Sequence, residues 1–429
     1  MDTAENLIYS SYLKARDRRY DEKDRYRRHP EYTRPYIVER CAVPACVVTG
    51  SKGKGSLAKM SQTILSTVYR TGLMISPHVI NFEERFSVDG LNIKSDELDR
   101  YAEAVVSELQ PVQETIPANT CISPMGIQTL IALDWFADMG TRFNIFECGK
   151  GAQYDDVNSV IHQYALIGPI FLEHTRELGD TLAEIASDKA HVITSETKTV
   201  FCARQQPEVE QLIIEKARNE NADFRIYGRD FEAMNVRCDN DGITFTVRIG
   251  SDIIDDLFLP VIAPYQAENC ALAIAFARVV LQEQFDLAAI RDVLSRWNWP
   301  GRMQVVSSKP FILADMCINR QSAIPIARYL QETGRTNCTL ILAIPDDKDY
   351  MGVAQVLSPY VSKLILSSIN NPHYRFTDIQ AQTLSDFPCV SSVRPIEKAL
   401  ETVDDSPLLI LGTVRAIGTA LEILKAKNL

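Results

Sequence analysis

Apolar runs and helical periods alternate along the first half of the chain. Short apolar runs bounded by turns are typical of buried strands, and they occur at residues 47–49, 71–75, 142–147 and 164–171. Between them, apolar positions recur with a helical period at residues 57–69, 96–109 and 125–137. This order predicts an α/β fold with a central parallel sheet.

The second half continues the alternation after an interruption. Residues 192–260 contain short strands, one helix at 208–219 and a hairpin at 236–248 around Asn240-Asp241-Gly242. The sequence Trp297-Asn298-Trp299-Pro300-Gly301-Arg302 then breaks the helical pattern. Beyond it, predicted strands alternate with predicted helices; the strands are 311–314, 339–343, 363–366 and 408–411, and the helices are 323–332, 353–361, 395–402 and 416–426. We therefore predict two parts, residues 1–297 and a C-terminal Rossmann-like domain at 298–429.

Composition narrows the function classes. The 429 residues are 46% hydrophobic and 24% charged, as in ordinary globular proteins, and a net charge of −11 argues against a nucleic-acid partner. No apolar run has the length of a membrane span and Met-Asp-Thr-Ala-Glu lacks signal-peptide features, so we expect a cytoplasmic protein without a membrane partner. The ten cysteines show no C-x-x-C pair, which makes a zinc site unexpected.

The first predicted strand runs into a glycine-rich loop, Gly50-Ser51-Lys52-Gly53-Lys54-Gly55-Ser56. Glycines let backbone N–H groups approach a polyphosphate, and the helix that follows adds a partial positive charge. Lys54 adds a full charge, and the Ser56 hydroxyl is suited to bind Mg²⁺. The general P-loop pattern has a glycine five residues before Gly53, where this chain has Val48.

This shorter loop, preceded by Val48-Thr49, resembles that of the Mur ligase superfamily, and most closely its folylpolyglutamate/dihydrofolate synthase branch. Four further segments resemble family motifs in the same order: Ser76-Pro77-His78, residues 147–158, residues 172–190 and Trp299-Pro300-Gly301-Arg302. The resemblance implies a P-loop, Mur-ligase-like central ATPase domain within residues 1–297, joined to the C-terminal Rossmann-like domain.

Metal-binding residues follow from the same resemblance. It implies that Ser56, Ser76, Glu147 and His174 bind magnesium, and that Lys189 occupies the position of a carbamylated lysine. The residues themselves leave alternatives open: a strand-end carboxylate, a loop histidine and a solvated helix lysine.

ATP-binding residues are also implied in the second half. Gln266 and Asn269 would lie near the adenine, Arg302 would reach the γ-phosphate, and Asp315 would hold the ribose. Helix caps, a surface arginine and a strand-end carboxylate are the alternatives. With Lys54 and Lys189, Arg302 completes the expected catalytic set.

Departures from the family motifs fall on the substrate side. Pro124-Met125-Gly126 replaces a Phe-Glu pair, Ala152-Gln153 replaces Gly-Arg, and Ile318 replaces a histidine that in the family lies near the incoming amino acid. We therefore expect an ADP-forming, ATP-dependent ligase that joins a small-molecule carboxylate other than a standard folate to an amine through an acyl phosphate. The alternatives are a folylpolyglutamate/dihydrofolate synthase and a non-catalytic nucleotide-binding homologue; a monomer or homodimer is expected.

Overall fold

The computed structural model describes residues 3–15, 29–239, 241–370, 374–387, 393–401 and 406–427. An eight-stranded sheet forms the centre of the first half, in the order β4-β3-β2-β5-β1-β6-β7-β8. Its strands are β1 (Ala45–Thr49), β2 (Thr71–Met74), β3 (Phe86–Val88), β4 (Leu91–Asn92), β5 (Phe143–Glu147), β6 (Tyr164–Ile167), β7 (Thr199–Cys202) and β8 (Asp223–Ile226). All pairings are parallel except those of β3 with β2 and β4.

Two further sheets follow in the chain. An antiparallel sheet consists of β9 (Phe231–Cys238), β10 (Ile243–Ile249) and β11 (Asp252–Leu259), and it contains the predicted hairpin. A six-stranded sheet has the order β12-β13-β17-β14-β15-β16 and is parallel except at its β12 edge. Its strands are β12 (Gln304–Ser308), β13 (Phe311–Asp315), β14 (Cys338–Ala343), β15 (Val361–Ser368), β16 (Arg394–Pro395) and β17 (Leu408–Gly412).

Helices cover the sheets. Those of the first half are α1 (Ala4–Ala15), α2 (Arg34–Glu39), α3 (Lys54–Leu65), α4 (Ser95–Glu108), α5 (Gln110–Thr115), α6 (Pro124–Asp138), α7 (Thr175–Leu178), α8 (Leu182–Ala190), α9 (Pro207–Asn219), α10 (Tyr265–Leu281) and α11 (Leu287–Ser295). Those of the second half are α12 (Arg320–Glu332), α13 (Tyr350–Leu357), α14 (Asp378–Thr383), α15 (Ile396–Glu401) and α16 (Val414–Ala426). Among the described helices, none combines the length and hydropathy that a transmembrane span needs.

Burial on both faces explains the apolar runs of the central strands. Val47 and Val48 are neighbours on β1, yet they belong to different hydrophobic clusters, one on each face of the sheet. Leu409 and Ile410 on β17 divide between two clusters in the same way. A parallel sheet covered by helices on both sides requires such continuous apolar strands, which confirms the predicted α/β class.

Most predicted elements lie within a few residues of their observed positions. Helix α3 ends at Leu65 rather than at Tyr69, β6 ends at Ile167 rather than at Phe171, and two further ends differ for identifiable reasons. Helix α3 begins at Lys54 rather than at Leu57, because Gly53 adopts a left-handed φ of 80° and serves as the helix N-cap. The helix predicted to end at Val361 ends at Leu357, and Val361 begins β15 instead.

Candidate active site

The carboxyl ends of three adjacent strands form the base of the site. Strand β1 lies between β5 and β6, with Val48 paired with Glu147 and with Leu166. The loop after β1 therefore meets Glu147 at the end of β5 and Gly168 just beyond β6. Such an edge of a parallel sheet is a common ligand site, because the strand ends and the following helix N-terminus open into one crevice.

Gly50 is required at the start of the loop. Its φ is 139°, and a Cβ there would lie 2.9 Å from the Cα of Gly168. The next residue fastens the loop to the same neighbouring segment, because the Ser51 N–H donates to the carbonyl of Pro169 at 2.8 Å. The Ser51 hydroxyl accepts from the N–H of Phe171 and donates to its carbonyl. Ser51 thus positions the loop with both of its polar groups.

The remaining loop N–H groups are available to a ligand. Within the described residues, no hydrogen-bond acceptor is found for the backbone N–H groups of residues 52–56. These groups surround the N-terminus of α3, where the first turn of any α-helix leaves its donors unpaired. Successive free donors at a helix N-terminus form a suitable site for phosphate oxygens.

Two predicted catalytic lysines meet at one carbonyl oxygen. The Nζ atoms of Lys54 and Lys189 donate to the oxygen of Gly50 at 3.1 Å and 3.0 Å. Lys189 is 1% exposed and forms an ion pair with Glu173, Nζ to Oε1, at 3.1 Å. Burial and the charge of Lys54 lower the pKa of Lys189, whereas Glu173 raises it. Lys189 is therefore a buried residue of the site and not a solvated helix lysine.

Gln266 and Asn269, the two predicted adenine contacts, lie against the phosphate loop. The Gln266 amide donates to the Ser56 hydroxyl at 3.2 Å, and Asn269 donates to the Gln266 amide oxygen at 2.9 Å. A Cβ on Gly53 would lie 3.2 Å from the Asn269 amide oxygen. The start of α10 thus supports the loop and fixes the orientation of the Ser56 hydroxyl.

The predicted metal residues Glu147 and Ser76 are in direct contact. The Glu147 side chain is buried, and its Oε2 accepts the Ser76 N–H at 3.1 Å. A Cβ on Gly55 would lie 3.3 Å from the same oxygen, which places the carboxylate beside the N-terminus of α3. Burial raises the pKa of Glu147 to about 7, against the lowering effects of Lys54, the Ser76 N–H, Arg302 and Arg85.

The donor chemistry fits a magnesium–nucleotide site. Within the described ranges, no three His, Cys, Asp or Glu side chains lie together as a self-sufficient metal site. Magnesium is usually bound by one or two carboxylates with waters and substrate phosphates, so Glu147 with the Ser56 hydroxyl beside the loop meets that requirement. His174 has a left-handed φ of 47°, and burial lowers its pKa to about 4 despite the opposing charge of Glu173.

Residues of the second half approach the loop through Lys52. Burial lowers the pKa of Lys52 while Asp315 raises it and Arg302 lowers it, so all three charges share one region. Burial raises the pKa of the Asp315 carboxyl, and Lys52 and Arg302 lower it. Asp315 Oδ2 also accepts the N–H of Met303 at 2.7 Å. Arg302 therefore lies among buried charges and is not an isolated surface arginine.

A cavity of about 460 Å³ opens beside the loop. Lys54, Ser76 and His174 line it together with residues that the sequence analysis assigned no role, among them Tyr9, Tyr12 and Arg85. Position alone could not identify the two tyrosines, because they come from α1 and reach the cavity only through tertiary packing. For Arg85 the signal in the sequence is Phe82-Glu83-Glu84-Arg85-Phe86, which resembles the family segment that follows Ser76-Pro77-His78.

The sequence of this chain matches the model of one protein family. The model of the Mur ligase middle domain matches residues 48–277. The dihydrofolate synthase/folylpolyglutamate synthase of Mycobacterium tuberculosis is 26% identical over 362 residues, covering 80% of this chain and 73% of that protein. The folylpolyglutamate synthase of Lacticaseibacillus casei is 26% identical over 372 residues, covering 86% of each chain.

Solved structures share the fold over almost the whole chain. The Mycobacterium tuberculosis folylpolyglutamate synthase complexed with ADP and AMPPCP has a TM-score of 0.81 at 23% identity and covers 98% of both chains. The L. casei apo enzyme has a TM-score of 0.81 at 22% identity and covers 99% of this chain and all of that chain. Because the middle-domain model covers more than half of it, the chain belongs to the Mur ligase superfamily, and it is most like the folylpolyglutamate/dihydrofolate synthase branch.

Proposed function

We propose that this protein is an ATP-dependent, ADP-forming ligase that joins an amine to the carboxylate of a folate-type acid, dihydropteroate or a reduced folate. The family and its named relatives support this acid over the different carboxylate expected from the altered motifs. The same relatives favour glutamate as the amine.

One observation carries the proposal: Lys54 belongs to the phosphate loop and also lines the cavity of about 460 Å³. A nucleotide on the loop and an acid in the cavity would therefore meet at a single ammonium group. An oxygen of the acid carboxylate attacks the γ-phosphorus, the bond to the β-phosphate oxygen breaks, and an acyl phosphate and ADP result. The amine then attacks the acyl carbon, inorganic phosphate leaves with the bonding electron pair, and the amine nitrogen gives up one proton to the departing phosphate or to water.

The protein would accelerate phosphoryl transfer mainly by electrostatic stabilisation of the transferring group. Phosphoryl transfer places negative charge on the transferring group, so fixed positive charges and N–H donors accelerate it without a protein nucleophile. Lys54, Arg302 and the free N–H groups of residues 52–56 would supply them. Lys189 and Glu173 would hold the Gly50 carbonyl in place.

A bound Mg²⁺ would neutralise phosphate charge, and Glu147, Ser56, Ser76 and His174 are the residues proposed to hold it. We also keep carbamylation of Lys189 as part of the proposal, because it is a buried lysine whose pKa is lowered by burial. The carbamate would be an anion, so it would replace the ammonium state that pairs with Glu173. Gln266, Asn269 and Asp315 remain proposed ATP contacts beside residues 50–56.

Ile318 favours a second candidate, a ligase with an amine other than glutamate. It occupies the position of the family histidine near the incoming amino acid, and it packs as a partly buried apolar side chain against the hydrophobic cluster of the C-terminal sheet. An apolar side chain at that position provides no hydrogen bond for an amino-acid carboxylate.

ADP release tests both candidates. Purified protein with Mg²⁺ and ATP is supplied with dihydropteroate or tetrahydrofolate, with and without glutamate, and products are identified by mass spectrometry. We expect ADP release that depends on the acid, and a product heavier by one glutamyl residue. ADP release with the acid that yields no glutamyl product would favour the other amine. ATP binding without ADP release from any acid and amine pair would contradict the ligase and support a non-catalytic protein.

A further inference from the structure

A second cavity, of about 400 Å³, lies at the edge of the central sheet where its parallel strands begin. Pro44 precedes β1, Phe143 begins β5 and Tyr164 begins β6, and all three residues line this cavity. The phosphate loop follows the opposite end of β1, which at about 3.3 Å per residue is roughly 15–20 Å away. Among the described residues, the two cavities share none of their lining. The second cavity is therefore separate from the candidate active site.

Aromatic rings form the inner wall of the second cavity. Phe143 is 2% exposed, and its ring centroid lies 6.0 Å from that of Tyr164 at an interplanar angle of 37°. Phe143 belongs to the hydrophobic cluster shared by the sheet with α3 and α10, and Tyr164 packs against that cluster. Tyr69 is half-buried, and the guanidinium carbon of Arg142 lies 5.5 Å from its ring centroid. The lining thus offers ring surfaces against which a flat molecule can pack.

Polar side chains without partners surround the same space. The hydroxyl groups of Tyr69, Thr141 and Tyr164 and the guanidinium of Arg142 form no hydrogen bond to any residue that the structure describes. Burial raises the pKa of Tyr164, with smaller effects of Cys46 and Tyr69 in the same direction, so its hydroxyl keeps its proton and can donate. A few polar groups that converge on an apolar recess are characteristic of small-molecule sites.

Arg142 gives the cavity a positive charge that its lining does not neutralise. No described lining residue is an aspartate or glutamate, and no described carboxylate forms an ion pair with Arg142. The nearby Arg70, by contrast, pairs with Asp89, Nε to Oδ2, at 3.9 Å. Helix α10 ends beside the cavity, but its partial negative charge of roughly one half is smaller than the full charge of Arg142. A free guanidinium beside hydroxyl donors is suited to bind a carboxylate.

We propose that this cavity is a second ligand site, which binds a small aromatic carboxylate of one or two rings. The rings pack against Phe143 and Tyr164, and the carboxylate accepts hydrogen bonds from Arg142 and the neighbouring hydroxyl groups. A volume of about 400 Å³ lies within the range of known small-molecule sites. The inference does not depend on the proposed function, because this ligand would bind at the opposite edge of the sheet from ATP and the acid.

Equilibrium binding of a two-ring acid tests the proposed class of ligand. The probes are 2-naphthoate and its neutral analogue 2-naphthamide, and each is titrated into the full-length protein by calorimetry without ATP. We expect 2-naphthoate to bind with a dissociation constant of about 1 mM or lower, and at least about fivefold more tightly than 2-naphthamide. The difference is expected because hydrogen bonds between charged groups are stronger than those to a neutral amide.

Two variants locate the bound probe. Arg142→Gln should weaken 2-naphthoate binding by about tenfold and remove its advantage over 2-naphthamide. Tyr164→Phe keeps the ring and removes the hydroxyl, so it should weaken 2-naphthoate by about threefold to fivefold. Arg70→Gln is the matched control, because it removes the same charge from a residue that pairs with Asp89 and does not line the cavity. It should leave both affinities unchanged, and the unfolding midpoint of each variant shows whether it is folded.

Three results would overturn the proposal. The first is no binding of 2-naphthoate at millimolar concentration, and the second is equal affinity of the unaltered protein for 2-naphthoate and 2-naphthamide. The third is binding of 2-naphthoate that Arg142→Gln does not weaken more than Arg70→Gln does, which would place the probe elsewhere. If Arg142→Gln does not fold, Tyr164→Phe decides, and an unchanged affinity of that variant for 2-naphthoate would refute the site.

Discussion

The carbonyl oxygen of Gly50 accepts hydrogen bonds from two lysine ammonium groups, those of Lys54 and Lys189. Among the residues that the structure describes, no carboxylate forms an ion pair with Lys54, whereas Lys189 is paired with Glu173. This difference suggests that Lys189 stays in place while Lys54 is free to move onto a phosphate. The two lysines therefore have separable roles at the residue scale.

Replacement of Lys54 tests whether its ammonium group moves onto a phosphate during the reaction. We expect Lys54→Met to lower kcat at least a hundredfold, because loss of one preorganised charge at the transferring group typically has an effect of about that size. The control is Lys198→Met, an exposed lysine before β7. Steady-state ADP release by both variants, with the substrates that support turnover, provides the measurement. A Lys54→Met enzyme within twofold of the unaltered protein would remove Lys54 from the mechanism.

The backbone conformation of Gly50 leads to a separate prediction about stability. In Gly50→Ala a Cβ would lie 2.9 Å from the Gly168 Cα at a φ of 139°, whereas Gly140 has a φ of 65° and no atom within 4 Å of an added Cβ. We expect Gly50→Ala to lose about 3 kcal/mol of unfolding free energy and Gly140→Ala about 1 kcal/mol. Urea unfolding measures both, and equal losses would show that the close approach to Gly168 is not limiting.

Sequence alone predicted the residue types of this site but not their partners. Lys54, Glu147 and Arg302 follow from motifs whose chemistry is local. The ion pair of Glu173 with Lys189 and the contact of Gln266 with Ser56 join segments distant in the chain, so only the fold brings them together. Arg85 donates to His78 and to Gln128, and the contact with Gln128 likewise joins segments that are distant in the chain.

At the scale of elements, helix α8 carries Lys189 into the site. Its N-terminus has a capping box, in which the Thr181 hydroxyl accepts the Glu184 N–H and the Glu184 carboxylate accepts the Thr181 N–H. Two donors that the helix cannot satisfy internally are paired in this way. The cap therefore fixes the start of a helix whose last turn contains Lys189.

Removal of the cap should cost stability. We expect Thr181→Ala to lower the unfolding free energy by about 1 kcal/mol, the usual effect of losing a threonine N-cap. Thr115→Ala, at the exposed end of α5, is the control and should change the free energy by less than about 0.5 kcal/mol. Chemical denaturation followed by circular dichroism compares them; indistinguishable values would mean that the cap does not stabilise the native state.

The periodicity of hydrophobic residues in the sequence predicted most of the helices and strands. The residues at which they begin and end depend on features that this periodicity does not show. The early start of α3 follows from the left-handed conformation of Gly53. The end of α13 at Leu357 follows from a short 3-10 turn at Ser358–Tyr360 that leads directly into β15. The contact of α1 with the cavity was also not predicted. Helical periodicity shows which residues share one face of a helix, but it does not show what that face contacts.

At the scale of the whole molecule, the C-terminal sheet contacts the first half close to the site. A Cβ on Gly418 of α16 would lie 2.0 Å from the Val79 carbonyl oxygen, which places this helix against the segment that follows Ser76. Arg415 on the same helix pairs with Glu5 of α1 at 3.0 Å. The division at residues 297 and 298 remains a prediction, as do the roles of Arg302 and Asp315 beyond their shared charges with Lys52.

The close approach at Gly418 predicts a functional defect away from the chemistry. Gly418→Ala must displace α16 or the Val79 segment, and a shift of about 1 Å in the relative position of catalytic groups can lower a rate by about a hundredfold. We expect kcat to fall at least tenfold while Thr419→Ala, one residue along the same helix, has little effect. Steady-state turnover and ATP affinity are compared for both; unchanged kcat in a folded Gly418→Ala protein would show that this contact does not set the active geometry.

An acid in the cavity is proposed to meet a nucleotide on the loop, and ADP release tests this meeting most directly. With Mg²⁺ and ATP, release should require dihydropteroate or tetrahydrofolate, and Lys54→Met should lower its rate at least a hundredfold. ADP release that is unaffected by any acid, or ATP binding that no acid and amine pair converts into ADP, would contradict the central claim.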